Sequence, residues 1–75
     1  MKHHEEPAEK LRTFLSSGGI SQRAFAESVG SHQSILSRVM MRKINPSLKL
    51  AVRIQTATGG VVRADAWHDT EDVVQ

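Results

Sequence analysis

The sequence predicts an all-α domain of four to five short helices. Three observations carry that expectation. Apolar residues recur at helical spacing in four segments, each segment opens on Pro or Ser, and each closes on Gly or on Asn-Pro. A chain of 75 residues fits one small domain, and a core of that size depends on nearly every apolar side chain.

The first helix begins at Pro7, whose fixed φ suits the first helical position, with Glu6 and Glu9 at the positive end of the dipole. Ala8, Leu11, Phe14 and Leu15 form its apolar stripe, and Gly18-Gly19 ends it. Ser21 can cap the second helix, with Ile20 and Phe25 as a hydrophobic staple and Phe25, Ala26 and Val29 facing inward. Gly30 then permits a left-handed turn, and Ser31 can cap a third helix over about 32–43. At 100° per residue that helix divides into two arcs. Ile35, Leu36, Val39 and Met40 share the core arc, while Gln33, Ser34, Ser37, Arg38, Met41 and Arg42 share the opposite one.

Asn45-Pro46 stops this helix, and Ser47 caps a fourth over about 48–58, which Gly59-Gly60 closes. Leu48, Leu50, Ala51, Val52, Ile54 and Ala57 cover most of its circumference, so burial on more than one side is expected. Val61-Val62 reads as a short extended piece. Ala64–Trp67 reads as one helical turn, with Trp67 as a lid over the first and fourth helices. The expected organisation is a flexible start over 1–7, a folded domain over 8–68 and a flexible acidic tail over 69–75.

The net charge of +2 conceals a strong segregation. Residues 10–63 carry nine bases against the single acid Glu27, a balance of +8, whereas residues 64–75 carry four acids and no Lys or Arg. A basic body of this kind points to polyanions. With no cysteine there is no disulfide, thiolate metal site or cysteine nucleophile. Residues 1–20 hold no apolar leader and no run reaches membrane-spanning length, so a cytoplasmic location is expected. No enzyme is expected, nor any metal or cofactor. His3-His4-Glu5-Glu6 lacks the spacing of a zinc site, and His68-Asp69 has no serine to complete a triad and reads as surface. One Trp and two Phe leave few aromatics for stacking on RNA bases.

Residues 22–41, QRAFAESVGSHQSILSRVMM, resemble the helix-turn-helix of small phage repressors of the lambda Cro type. Gln22, the small Ala26, the turn glycine Gly30 and apolar Leu36 and Val39 carry the pattern, and Gln33-Ser34 matches a Gln-Ser of the Cro recognition helix. Ser31 stands where the pattern usually has Val or Ile. The segment AVRIQTATGGVVRADAW, residues 51–67, is similar to the end of YdaS-type Cro-like regulators, so the two resemblances together span about residues 8–68.

The resemblance implies a lambda-repressor/Cro-like bundle in which His32, Gln33, Ser34, Ser37 and Arg38 face base edges or adjacent phosphates in the major groove. The chemistry agrees independently: Gln33 can pair with adenine N6/N7, Arg38 can fork to guanine O6/N7, and Met41 can lie on a thymine methyl. Gln22, Arg23, Arg42 and Lys43 are candidate phosphate contacts, and the Lys49 and Arg53 stripe reads equally as solvated surface or phosphate contact. A solvated helix face usually mixes Glu with Lys, and the third helix's polar arc has no acid.

The expected function is a sequence-specific transcriptional regulator, a Cro-like repressor of phage or prophage type that binds a palindromic operator as a homodimer. The fourth helix with Val61, Val62 and the carboxy-terminal residues would supply the dimer surface. The alternative is an antitoxin or other interaction module whose acidic tail docks on a basic partner protein. Removing residues 69–75 separates the two. Duplex affinity measured by anisotropy should persist or rise under the first reading, and partner binding should vanish under the second.

Overall fold

The computed structural model describes residues 6–68. Four α-helices, α1 (Pro7–Gly18), α2 (Gln22–Ser28), α3 (Gln33–Met40) and α4 (Leu48–Ala57), precede a 3-10 turn at Ala64–His68, and no strand occurs among the described residues. The architecture is the expected small all-helical bundle. The His3-His4 pair and the acidic tail 69–75 lie outside the described residues, as does the side chain of His68. Glu6 and Pro7 are part of the fold, as N-cap and first residue of α1.

Two helix starts form as the sequence implies. The Ser21 hydroxyl accepts the Ala24 amide at 3.0 Å, and the Ser47 hydroxyl accepts the Leu50 amide at 3.2 Å. The third start differs. The N-cap of α3 is His32, without a side-chain cap, because the Ser31 amide is drawn back onto the Ala26 carbonyl at 2.8 Å. Ser31 therefore closes the second helix instead of opening the third.

All four α-helices end on the same closure. One residue turns left-handed, and the amide that follows reaches back five residues: Ile20 to Leu15, Ser31 to Ala26, Lys43 to Arg38 and Gly60 to Gln55, at 2.8–2.9 Å. Three of the left-handed residues are glycines, Gly19, Gly30 and Gly59; the fourth is Arg42, at φ 63°. This closure ends α3 at Met40, so Arg42 and Lys43 lie beyond the helix, which was expected to continue to residue 43. Chain reversal at Arg42 comes before Asn45-Pro46 can act.

The core gathers Leu11 and Leu15 of α1, Phe25 and Ala26 of α2, Leu36, Val39 and Met40 of α3, and Leu50, Ala51 and Ile54 of α4, with Val62 and Trp67 closing it. Phe14 and Phe25 meet edge to face with ring centres 6.4 Å apart. Trp67 packs with its 3-10 turn on α4, and its indole Nε1 is buried with no hydrogen-bond partner among the described residues.

The expectation that α4 is buried on several sides is not met among the described residues. Only Leu50, Ala51 and Ile54 are buried, whereas Leu48 is 69% and Val52 47% exposed. Val61-Val62 is also not extended. The buried Thr58 hydroxyl accepts the Val62 amide at 3.1 Å and donates to the Ile54 carbonyl at 2.9 Å, and the Gln55 side chain accepts the Ala64 amide at 2.8 Å. These bonds fold the chain back along α4 and bury Val62 completely, which removes Val62 from any docking surface.

Of the five glycines, Gly30 in the α2–α3 turn is the most closely crowded. At Gly30, φ is 70°, and an added Cβ would stand 2.6 Å from the Arg53 guanidinium. Gly30→Ala should therefore lower the unfolding free energy by about 1–2 kcal/mol from the left-handed backbone alone, measured by urea denaturation. A loss below about 0.5 kcal/mol would show that the turn relaxes freely.

Candidate nucleic-acid interface

Steric need at the turn positions α3. Ala26 is 1% exposed and leaves room for α3 to approach α2, Gly30 reverses the chain, and Leu36 and Val39, both fully buried, anchor α3 beneath. The opposite face is thereby turned outward. His32, Gln33, Ser34 and Arg38 are exposed, Met41 is 56% exposed, and Ser37 is half-buried with its hydroxyl 3.8 Å from the Met41 sulfur. These six residues form a face without an acid, beginning at a helix end whose first amides no side chain satisfies. Such an end carries partial positive charge and unspent N–H donors.

The expected phosphate-contacting residues are distributed less simply. Gln22 is half-buried at the start of α2, and Arg23 is exposed beside Glu27 at 3.9 Å, a weak surface pair. Lys43 and Lys49 are exposed, and neither ammonium has an acid partner among the described residues. Arg53 is exposed overall, yet its guanidinium lies over the turn, 3.4 Å from the Val29 carbonyl. Lys49 and Arg53 share the wall of a cleft of about 260 Å³ with Gly30, Ile44 and Asn45. Arg42 pairs with the Glu6 carboxylate.

Two contributors escaped the sequence reading. The Arg12 guanidinium in α1 donates to the Met40 carbonyl at 2.9 Å and so caps the carboxyl end of α3 from another helix. Glu6, at the N-cap of α1, is the partner of Arg42. Each bridges about thirty positions of sequence, and no local pattern announces such a contact. Further from α3, the side-chain hydrogen bonds from Arg63 hold the Asp65 carboxyl below its ordinary pKa, and Asp65 raises that of Arg63 in return. That exposed pair leaves Arg63 engaged.

A family model described as helix-turn-helix matches residues 10–61, from the first turn of α1 through the turn after α4. The chain belongs to the helix-turn-helix family. As a member it is a DNA-binding regulator of transcription, of a kind that typically carries no enzymatic activity. No curated protein matches the chain. None of the described helices in this regulator is long and apolar enough to cross a membrane.

Arg42 is the energetic exception of the site. A non-glycine residue in the left-handed region costs roughly 1–2 kcal/mol, whereas an exposed ion pair such as Arg42–Glu6 returns about 0.2–1 kcal/mol. The fold alone would favour glycine there, as it has glycine at the other three closures. Arg42→Gly should accordingly raise stability by about 1 kcal/mol in chemical denaturation while weakening duplex binding. A variant that binds duplex as the parent does would show that the arginine has no part in the interface.

Proposed function

We propose that this regulator is a repressor of the Cro type that binds a palindromic operator as a homodimer in the cytoplasm, with α3 in the major groove. His32, Gln33, Ser34, Ser37, Arg38 and Met41 read base edges. Gln22, Arg23, Arg42, Lys43, Lys49 and Arg53 meet phosphates. The observation that carries this reading is the outward face of α3, acid-free, hydrogen-bonding and joined to an uncapped helix start. Bases present donors and acceptors that Gln33 and Arg38 can match in pairs, whereas an ordinary solvated face has no need of such groups.

A second copy is the proposed occupant of the outer face of α4. Leu48 and Val52, one turn apart, are exposed there, and Val61, 49% exposed, follows the helix. One recognition helix spans few base pairs, and a twofold pair of them reads two half-sites one helical turn apart. Sedimentation that finds a monomer both free and on a palindromic duplex would reject the dimer.

Selection of bound duplexes from a random library tests the reading as a whole. A half-site with defined base preferences is the expected result, and equal retention of every duplex would leave only non-specific binding. Gln33→Ala should then relax one base position by ~1–3 kcal/mol, while Lys43→Ala should weaken all sequences alike. With about four or five cations of the phosphate-contacting set on phosphates, log K should fall with log salt at a slope of about −4.

A further inference from the structure

Arg42 is fixed where it stands by the backbone, since the Lys43 amide on Arg38 and the Arg42 amide on Val39 close α3 around it. Its guanidinium reaches across to Glu6, a residue of the opposite end of α1 from Gly18. Both side chains are more than half exposed, so the pair is open to water and to competing anions. The Glu6 carboxylate makes no capping bond to α1, although it occupies the N-cap position where such a bond would form. Among the described residues its side-chain partner is Arg42. A carboxylate beside a guanidinium presents two oxygens much as a phosphodiester does.

We propose that Glu6 is an internal stand-in for DNA phosphate, holding Arg42 in the free protein and releasing it to the backbone on binding. The inference rests on the DNA-binding reading of α3. Glu6 thereby sets both the affinity of the interface and its response to salt. In the free protein Arg42 is already paired from within, so its transfer to a phosphate breaks one salt-sensitive ion pair as it displaces a counterion from DNA. Removing the carboxylate leaves the displacement uncompensated.

The test uses the full chain and a mixed-sequence 20-base-pair duplex, since phosphate contact is independent of sequence, with affinity followed by anisotropy from 50 to 200 mM salt. Glu6→Gln should bind about two- to five-fold tighter at the low-salt end and should steepen the slope of log K against log salt by about one. In an Arg42→Gln background the same substitution should change neither quantity, and Glu9→Gln, an acid of the same first turn, should change neither in the parent. Unchanged or weaker binding by Glu6→Gln overturns the proposal, as does an equal gain in the Arg42→Gln background or from Glu9→Gln, which would reflect net charge alone. A parent protein that binds no duplex at 50 mM salt overturns the DNA-binding reading itself, a result distinct from a parent that binds and a Glu6→Gln variant that matches it.

Discussion

The left-handed closure at the end of each α-helix is the constraint on which the arrangement depends. A helix that simply frays lets the next segment leave in many directions. One closed by a backward amide bond releases the chain along a single course. Only Val29 to His32 separate α2 from α3, so the course set at Gly30 becomes the orientation of α3. Arg53 lies over that turn with its guanidinium near the Val29 carbonyl, and it closes the space a side chain would need. The outward direction of Gln33, Ser34 and Arg38 follows from that geometry together with the burial of Leu36 and Val39.

The basic character of the chain is divided among separate tasks. Arg12 and Arg53 lie on backbone carbonyls at helix ends, where positive charge meets the negative end of the dipole. Arg23, Arg42 and Arg63 stand beside carboxylates. Arg38, Lys43 and Lys49 have no acid partner among the described residues, and all three are exposed. A count of charges over 10–63 therefore overstates what is available to an outside anion. Arg38 on the outward face of α3 and Lys43 just beyond its end are among the unengaged ones, whereas Arg42, between them in sequence, is held by Glu6.

Local features were legible in the sequence and distant ones were not. Ser21 and Ser47 cap as expected, Gly19, Gly30 and Gly59 turn where expected, and the angular division of α3 separates buried from exposed residues, with Ile35 half-buried at one margin and Ser37 half-buried at the other. All of these are decided within a few residues. The start of α3 lies one residue later than expected because the Ser31 amide bond to the Ala26 carbonyl keeps Ser31 in the closure of α2, and His32 takes the N-cap position. The end of α3 was misread because an arginine occupies a backbone state that sequence rules assign to glycine. The Thr58 hydroxyl that buries Val62, the Gln55 side chain that holds Ala64 and the Arg12 cap on Met40 are pairings made only once the chain has folded.

Trp67 gives the molecule an optical property of its own. It is the chain's one tryptophan, there is no tyrosine, and its indole is buried against the core with no hydrogen-bond partner for its N–H among the described residues. Intrinsic emission therefore arises at a single point, where the 3-10 turn is seated on α4. Far-ultraviolet dichroism instead reports the four helices together. The two signals observe different parts of the same domain, so any loosening of the carboxyl-terminal turn that leaves the bundle intact is visible as a red shift in fluorescence with the helical signal unmoved.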